Sequence, residues 1–120
     1  EYKREIKFRS LELQMQSYVE DEKASFSSIG KFLKEHIEVL EITKKAFAKY
    51  LKIEASNLSS ILGGKRKVSL DLAAKLGRLF KADAALWLAV QNKNELILLE
   101  KKFKEKYKKI SVEDLLKKAS

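Results

Sequence analysis

Residues 43–67 have the sequence TKKAFAKYLKIEASNLSSILGGKRK, which contains two short amphipathic patterns. The first pattern opens with Thr43, a typical helix N-cap residue, and fades at residues 52–54. Its apolar positions are Phe47, Ala48 and Leu51, and those of the second pattern are Leu58, Ile61 and Leu62. Both stripes can face one core only if the chain changes direction between them, so the sequence predicts two short helices joined by a turn.

The residues that follow predict two more helices. Gly63 and Gly64 should end the second short helix, because glycine adopts the left-handed conformation that suits a helix C-cap. After a basic loop, Ser69 can cap a helix with a buried face of Leu72, Ala73, Leu76, Leu79 and Phe80. Asp83 can cap another, whose apolar pattern extends toward Tyr107. Whether residues 92–94 interrupt that helix stays open.

Further helices are expected on both sides of this region. Ser27 or Ser28 can cap a helix that carries Ile29, Phe32, Leu33, Ile37 and Leu40 at helical spacing. Residues 6–19 fit a helix, which we favour, although Leu11, Leu13 and Met15 also alternate as in a strand. Near the C-terminus, Ser111 with Asp114 resembles a capping box for a last short helix.

Composition agrees with an all-α protein. The chain of 120 residues has no proline and four glycines, and it is rich in residues that favour helices. We expect residues 1–25 to be an N-terminal helix and linker, residues 26–103 the main domain, and residues 104–120 a helical tail. Cysteine is absent, which excludes disulfides and thiolate chemistry and fits a reducing, cytoplasmic setting. No apolar run approaches the roughly 20 residues that cross a bilayer, so no membrane association is expected.

The positive charge is concentrated in one place. The net charge is +9, and residues 43–67 contain seven basic residues and one acidic residue, Glu54. Such a concentration suits a polyanionic partner. Lysine-rich helix faces are often only solvated, however, so charge alone does not decide the function.

The second short helix has an unusual outer face. If its apolar residues face the core, the outward positions hold only small polar side chains, which are Ser56, Asn57, Ser59 and Ser60. A solvated face would usually carry long charged chains, so short hydrogen-bonding groups indicate close approach to a partner, with a serine-rich exposed turn as the alternative. The Asn57 amide can pair with both N6 and N7 of adenine, and we expect adenine as one base that is read.

Two sets of cations flank this face. Lys44 and Lys45 lie in the first turn of the first short helix. Residues 65–67 follow the second short helix and can bind phosphates of the DNA backbone there. Since residues 55–62 contain no arginine, strong guanine recognition would need Arg66 or a lysine. The predicted DNA-contacting residues are Thr43, Lys44, Lys45, Ser56, Asn57, Ser59, Ser60, Lys65, Arg66 and Lys67.

Residues 43–69 and 72–91 together resemble the Xre-type, lambda-repressor-like helix-turn-helix of HigA-type antitoxins. The matching residues are Phe47-Ala48, Asn57-Leu58-Ser59, Gly64-Lys65-Arg66-Lys67, Leu72-Ala73, Leu76 and Trp87-Leu88 through Gln91. This resemblance, over roughly residues 29–100, implies a five-helix core, to which the patterns described above add a helix at each end. It also implies dimerisation, repression of the protein's own operon and neutralisation of an mRNA-cleaving ribonuclease toxin.

The sequence departs from this family pattern at several positions. Lys44 replaces a glutamine, Ala46 a glutamate and Lys52 the usual turn glycine. Glu54 stands where a serine often caps the recognition helix, and its carboxylate suits the helix dipole but repels phosphate. Residues 27–30 replace a His-Pro-Gly-Glu opening. These departures affect the expected DNA contacts more than the fold.

No residue pattern indicates catalysis. His36 is the only histidine, and no cysteine or second imidazole accompanies it, so we expect no metal, no cofactor and no enzyme activity. Trp87 lies on an apolar stripe and is assigned to packing. We therefore expect a repressor that binds a palindromic operator as a homodimer, with its two 55–62 helices roughly 34 Å apart. The alternative is a helical protein-interaction module that has lost DNA binding.

Overall fold

The computed structural model describes residues 1–120, which form seven α-helices and no strand. The helices are α1 (Tyr2–Glu20), α2 (Ile29–Leu40), α3 (Lys44–Leu51), α4 (Ala55–Leu62), α5 (Leu70–Phe80), α6 (Ala84–Lys108) and α7 (Val112–Ala119). The all-α fold predicted from the sequence is confirmed, with α2 to α6 as the five-helix core and α1 and α7 as the additional helices.

Local hydrogen bonds explain where most of these helices begin. The hydroxyl oxygens of four residues each accept a hydrogen bond from the backbone N–H three residues later, and they are Ser28, Thr43, Ser69 and Ser111. The Asp83 carboxylate accepts one from the N–H of Ala85 at 3.0 Å. Each bond satisfies a backbone donor that the helix itself leaves free. The predicted N-caps are confirmed, with Ser28 rather than Ser27 at the start of α2.

The N-terminal segment is a helix, as favoured, and it packs onto the rest of the molecule. α1 contacts α2 and α6, and it buries Met15 and Tyr18 in the central core. Leu13, which the alternating pattern would place on the same face as Met15, is 48% exposed. A helical period of 3.6 therefore describes this segment, and a strand does not.

The core collects apolar side chains from α1 to α6. Its largest fully buried members include Trp87, Phe47, Leu33, Leu58 and Leu76. Trp87 thus has the packing role expected for it. Because the apolar stripes of α3 and α4 both enter this one core, the chain has to turn between them, as residues 43–67 predicted.

α6 continues without a break through residues 92–94. Asn94 faces inward, where its Nδ2 donates to the Ser27 carbonyl and the Tyr18 hydroxyl, both at 2.8 Å, and its Oδ1 accepts from the Ile29 N–H at 2.8 Å. A polar residue within an apolar stripe is therefore fully paired here rather than a helix breaker. The helical geometry is instead interrupted at Phe103, where φ is −117° and ψ is 26°.

The C-terminal part extends away from the core. No residue of α7 is buried, and the molecule measures 63 × 28 × 21 Å along its principal axes. Ser111 still caps α7, as its sequence indicates. None of the seven helices combines the length and the apolar character that crossing a membrane requires.

Candidate nucleic-acid interface

The turn between α3 and α4 forms around a lysine where the related pattern has glycine. Lys52 adopts a left-handed conformation with φ of 59°, and its N–H donates to the carbonyls of Ala48 and Lys49. The N–H of Ile53 donates to the Ala48 carbonyl at 3.0 Å. These bonds satisfy the last carbonyls of α3, at the cost of a conformation that disfavours side chains with a Cβ.

A residue that the sequence analysis missed holds this turn against α5. Lys75 Nζ donates to the carbonyl of Leu51 at 2.9 Å and pairs with Asp71 at 3.0 Å. A cation at a helix C-terminus satisfies a free carbonyl and complements the helix dipole. Nothing local to residue 75 signals this role, because Leu51 lies 24 residues away.

The far end of α4 rests against the first turn of α2. A Cβ on Gly30 would lie 2.6 Å from the carbonyl oxygen of Leu62 and 2.7 Å from that of Ile61. Both distances are below normal van der Waals contact, so only glycine allows α4 to sit this close. Gly30 therefore sets the position of α4, a role that no local pattern around residue 30 indicates.

The outer face of α4 is only partly as exposed as predicted. Ser56 and Ser59 are exposed, whereas Asn57 and Ser60 are half-buried. Glu54 occupies the N-cap position without a side-chain capping bond, so its carboxylate stays free at the start of the helix. The small polar face therefore presents two free hydroxyls and one amide, with a single negative charge at its N-terminal end.

The basic loop is bonded to the last turn of α4. The N–H groups of Lys65 and Arg66 donate to the Ser60 carbonyl at 2.8 and 3.2 Å. Of the two glycines expected to end α4, only Gly64 is left-handed, with φ of 78°, while Gly63 has an ordinary φ of −85°. The tight bend at Gly64 folds the loop back along the helix.

Asn57 and Arg66 are brought together by this bend. The Nη1 of Arg66 donates a hydrogen bond to the Oδ1 of Asn57. Two of the predicted site residues, nine positions apart, therefore form one unit on the surface of α4. Sequence spacing could not show this, because the reach of Arg66 depends on the bend at Gly64.

The end of the basic loop is anchored to α6. Gln91 Oε1 accepts from the N–H of buried Val68 at 2.6 Å, and its Nε2 donates to the Val68 carbonyl at 2.9 Å. Lys67 Nζ lies 3.0 Å from Oε1 of Glu95 in an ion pair. Lys67 is thus engaged within the protein. The contacts of Gln91 and Glu95 with the loop were not predicted from the sequence. The polar residues beside the apolar stripe of α6 were the one sequence feature that could have indicated them.

The cations at the N-terminal end of α3 have no acidic partner. Thr43, Lys44 and Lys45 are all exposed, and the Thr43 hydroxyl accepts a bond from the Ala46 N–H at 3.0 Å. Neither lysine forms an ion pair, and the same is true of Lys65 in the loop beyond α4. Unpaired ammonium groups therefore lie in the first turn of α3 and after α4, while the face between them carries short polar chains.

His36 belongs to the core and lies away from this surface. Burial is the main influence on the imidazole, and it lowers the pKa of His36 below 6.5, against smaller raising effects from the Phe32 carbonyl and Glu12. Its Nδ1 lies 2.7 Å from the Phe32 carbonyl, and its Nε2 is buried without a partner. The ring packs against Phe8, Phe80 and Trp87.

Sequence comparisons relate this chain to bacterial proteins. No model of a known protein family matches it. It is 37% identical over 68 residues to virulence-associated protein A′ of Dichelobacter nodosus, a match that spans 56% of this chain and 59% of that protein. It is 29% identical over 72 residues to YddM, an uncharacterized HTH-type transcriptional regulator of Escherichia coli K12, a match that spans 60% of this chain and 77% of YddM.

A structural comparison gives a longer match. The antitoxin HigA of Pseudomonas aeruginosa, solved with the higBA promoter, superimposes with a TM-score of 0.68 and 26% identity, over 73% of this chain and 98% of HigA. The resemblance to HigA-type antitoxins with an Xre-type helix-turn-helix is thereby confirmed. None of these three similar proteins is described as an enzyme.

Proposed function

We propose that this chain is a sequence-specific DNA-binding repressor of the antitoxin type, with α4 as its recognition helix. The main support is the surface of the helix-turn-helix, where exposed small polar side chains lie between unpaired cations. Such a surface can approach the base edges in the major groove while the cations bind the flanking phosphates. The similarity to HigA and YddM supports the same function.

Each part of the surface has a proposed role. Lys44 and Lys45 lie in the first turn of α3, where backbone N–H groups and the helix dipole also favour a phosphate. Lys65 binds a phosphate beyond α4. The hydroxyls of Ser56 and Ser59 contact bases or phosphates according to their depth in the groove. Residues 26–103 form the DNA-binding domain in this proposal, with α1 packed onto it and residues 104–120 outside it.

A homodimer would match a palindromic operator. Two copies of α4 would enter successive major grooves roughly 34 Å apart. The distal half of α6, the short link after it and the whole of α7 are candidate dimer surfaces, because they expose several large apolar side chains that include Leu98, Leu99, Ile110, Leu115 and Leu116. Equilibrium sedimentation at micromolar concentration should show a dimer, and a monomer alone would contradict this part of the proposal.

We also propose that the protein neutralises an mRNA-cleaving toxin, as its similarity to an antitoxin suggests. Co-expression with the neighbouring open reading frame, followed by affinity capture of the tagged chain, should recover a stable complex. The same purified chain should not hydrolyse RNA, because its single histidine is buried in the core. RNA hydrolysis that disappears in His36→Ala would contradict this assignment.

Salt dependence of DNA binding tests the main proposal. If about six phosphates are contacted, the logarithm of the affinity for DNA upstream of the gene should fall against the logarithm of salt concentration with a slope near −5. The double variant Lys44→Glu/Arg66→Glu should flatten that slope. The matched control is Lys7→Glu/Lys34→Glu, which changes the net charge by the same amount through two exposed cations of α1 and α2 outside the proposed surface.

One observation favours a second function, a protein-interaction module that has kept the fold and lost DNA binding. The Glu54 carboxylate makes no capping bond at the start of α4, and its negative charge would repel a phosphate there. A salt slope near zero would favour this alternative over the repressor.

A further inference from the structure

The bend after α4 gives the recognition helix an arginine that its own sequence lacks. α4 itself has no arginine, but both Lys65 and Arg66 are bonded through their N–H groups to the Ser60 carbonyl. Ser60 is three residues after Asn57, so both lie on the same side of the helix. The backbone of Arg66 is therefore fixed about one turn from Asn57, within easy reach of its long side chain.

Both ends of the loop are held, so this placement does not depend on side-chain contacts alone. At its start, the left-handed Gly64 turns the chain back along α4. At its end, the Gln91 amide accepts a hydrogen bond from the N–H of Val68 and donates one to its carbonyl, which holds Val68 in the core. Arg66 lies between these two anchors, and its guanidinium bonds to the Asn57 amide.

This bond changes what Asn57 can offer to a base. Pairing with adenine requires the amide oxygen to accept from N6 while the amide nitrogen donates to N7. In this structure the Oδ1 of Asn57 is already bonded to Arg66. That bond takes one of the two lone pairs of Oδ1. Apart from the remaining lone pair, the groups left free are the Nδ2 hydrogens of Asn57 and the other guanidinium hydrogens of Arg66, so donors dominate the surface that meets a base.

We propose that Asn57 and Arg66 together select guanine in each half of the operator, which replaces the adenine expected from Asn57 alone. Guanine presents two acceptors, O6 and N7, in the major groove, whereas adenine presents a donor beside its N7. Arg66 contacts the base, and Asn57 is a positioning residue that holds the guanidinium. This inference rests on the proposed DNA binding and names the base that the surface reads.

Selection of sites from randomised duplexes, followed by affinity measurement at fixed salt, tests the proposal. The wild type should select guanine at one position of each half-site and prefer it by about 5- to 150-fold, the range for one bidentate contact. Arg66→Ala removes the guanidinium and should abolish this preference. Arg66→Lys keeps the charge but lacks the planar fork, so it should keep the salt slope and weaken the preference. Asn57→Ala should reduce the preference several-fold without changing the salt slope.

A second substitution of Asn57 separates positioning from direct adenine recognition. Asn57→Asp keeps an acceptor for Arg66 but has no amide donor, so it should retain the guanine preference at a lower overall affinity. If Asn57 reads adenine directly, the wild type should select adenine and Asn57→Asp should lose that selection, which would overturn the proposal.

Other outcomes are equally distinct. If Arg66→Ala and the wild type select the same base, Arg66 does not read that base and the inference fails while DNA binding stands. If the wild type selects no sequence and has a salt slope near zero, the proposed function itself fails. Far-ultraviolet circular dichroism and thermal unfolding of each variant show whether it keeps the native fold.

Discussion

Gly30 and Leu62 are in such close contact that no methyl group fits between α2 and α4. A Cβ at residue 30 would lie 2.6 Å from the Leu62 carbonyl oxygen. The position of α4 therefore depends on a glycine 32 residues earlier in the chain. Asn94 holds the start of α2 onto α6, because its Oδ1 accepts from the Ile29 N–H and its Nδ2 donates to the Ser27 carbonyl just before the helix. Through these contacts, the core determines how far the outer face of α4 stands from the protein surface.

We predict that Gly30→Ala lowers the stability by about 1–3 kcal/mol, the usual range for an overpacked site, and weakens DNA binding because α4 shifts. Urea unfolding and a binding titration at fixed salt measure the two effects. The control is Gly63→Ala, where φ is −85° and the nearest atom to a Cβ lies 3.4 Å away. Equal behaviour of the two variants would argue against a positioning role for Gly30.

Lys52→Gly should stabilise the protein by about 1 kcal/mol, because residue 52 has a left-handed backbone that costs an L side chain about this much. The urea midpoint should rise with an unchanged m-value. Lys52→Ala, which removes the same charge but keeps a Cβ, should not share the gain. A rise of similar size in both variants would instead indicate relief of charge repulsion.

Stability should fall as the pH drops below about 6.5, because burial lowers the pKa of His36 and the unfolded chain then binds more protons than the folded one. The contribution of this group is complete above pH 6.5 and is lost progressively toward the folded pKa. His36→Leu should lose this component of the pH dependence. The measurement is the free energy of unfolding of the wild type and of His36→Leu at pH 7.5 and 5.5. The same change between the two pH values in both proteins would contradict a role of His36 in the pH dependence.

Glu54→Ser should both stabilise α4 and strengthen DNA binding. A serine at the N-cap can accept the helix N–H bond that Glu54 does not make, which is worth about 1 kcal/mol, and it removes a charge that repels phosphate. Glu54→Ala separates the two effects, because it removes the charge without adding a cap. Thermal unfolding should favour serine over alanine, while DNA affinity should rise in both.

Glu95→Gln should raise DNA affinity with little change in stability. Lys67 is exposed and Glu95 is half-buried in their ion pair, which contributes little to folding but keeps Lys67 directed toward α6. Freeing Lys67 for a phosphate should steepen the salt slope by up to about 0.9. Glu105→Gln, which releases Lys108 in the tail, is the control, and an equal gain there would point to net charge alone.

Local features of the sequence were sufficient to predict the helices. An N-cap needs only a hydroxyl and a backbone N–H three residues later, so Thr43, Ser69 and Ser111 marked helix starts without knowledge of the fold. The apolar periods of residues 43–67 likewise required a turn, because two stripes had to enter one core. The outline of the helix-turn-helix and the concentration of positive charge around it were therefore available from the amino-acid order alone.

The tertiary structure decided which predicted site residues are free and which are already engaged. Asn57 is bonded to Arg66, Lys67 is paired with Glu95, and Lys44 and Lys45 remain unpaired. These differences arise from contacts between segments that are distant in sequence, and from the bend that returns the basic loop to α4. A capping hydrogen bond forms between residues close in sequence, so a short stretch of sequence predicts it. The direction of a surface side chain depends on how whole helices pack, which no short stretch of sequence determines.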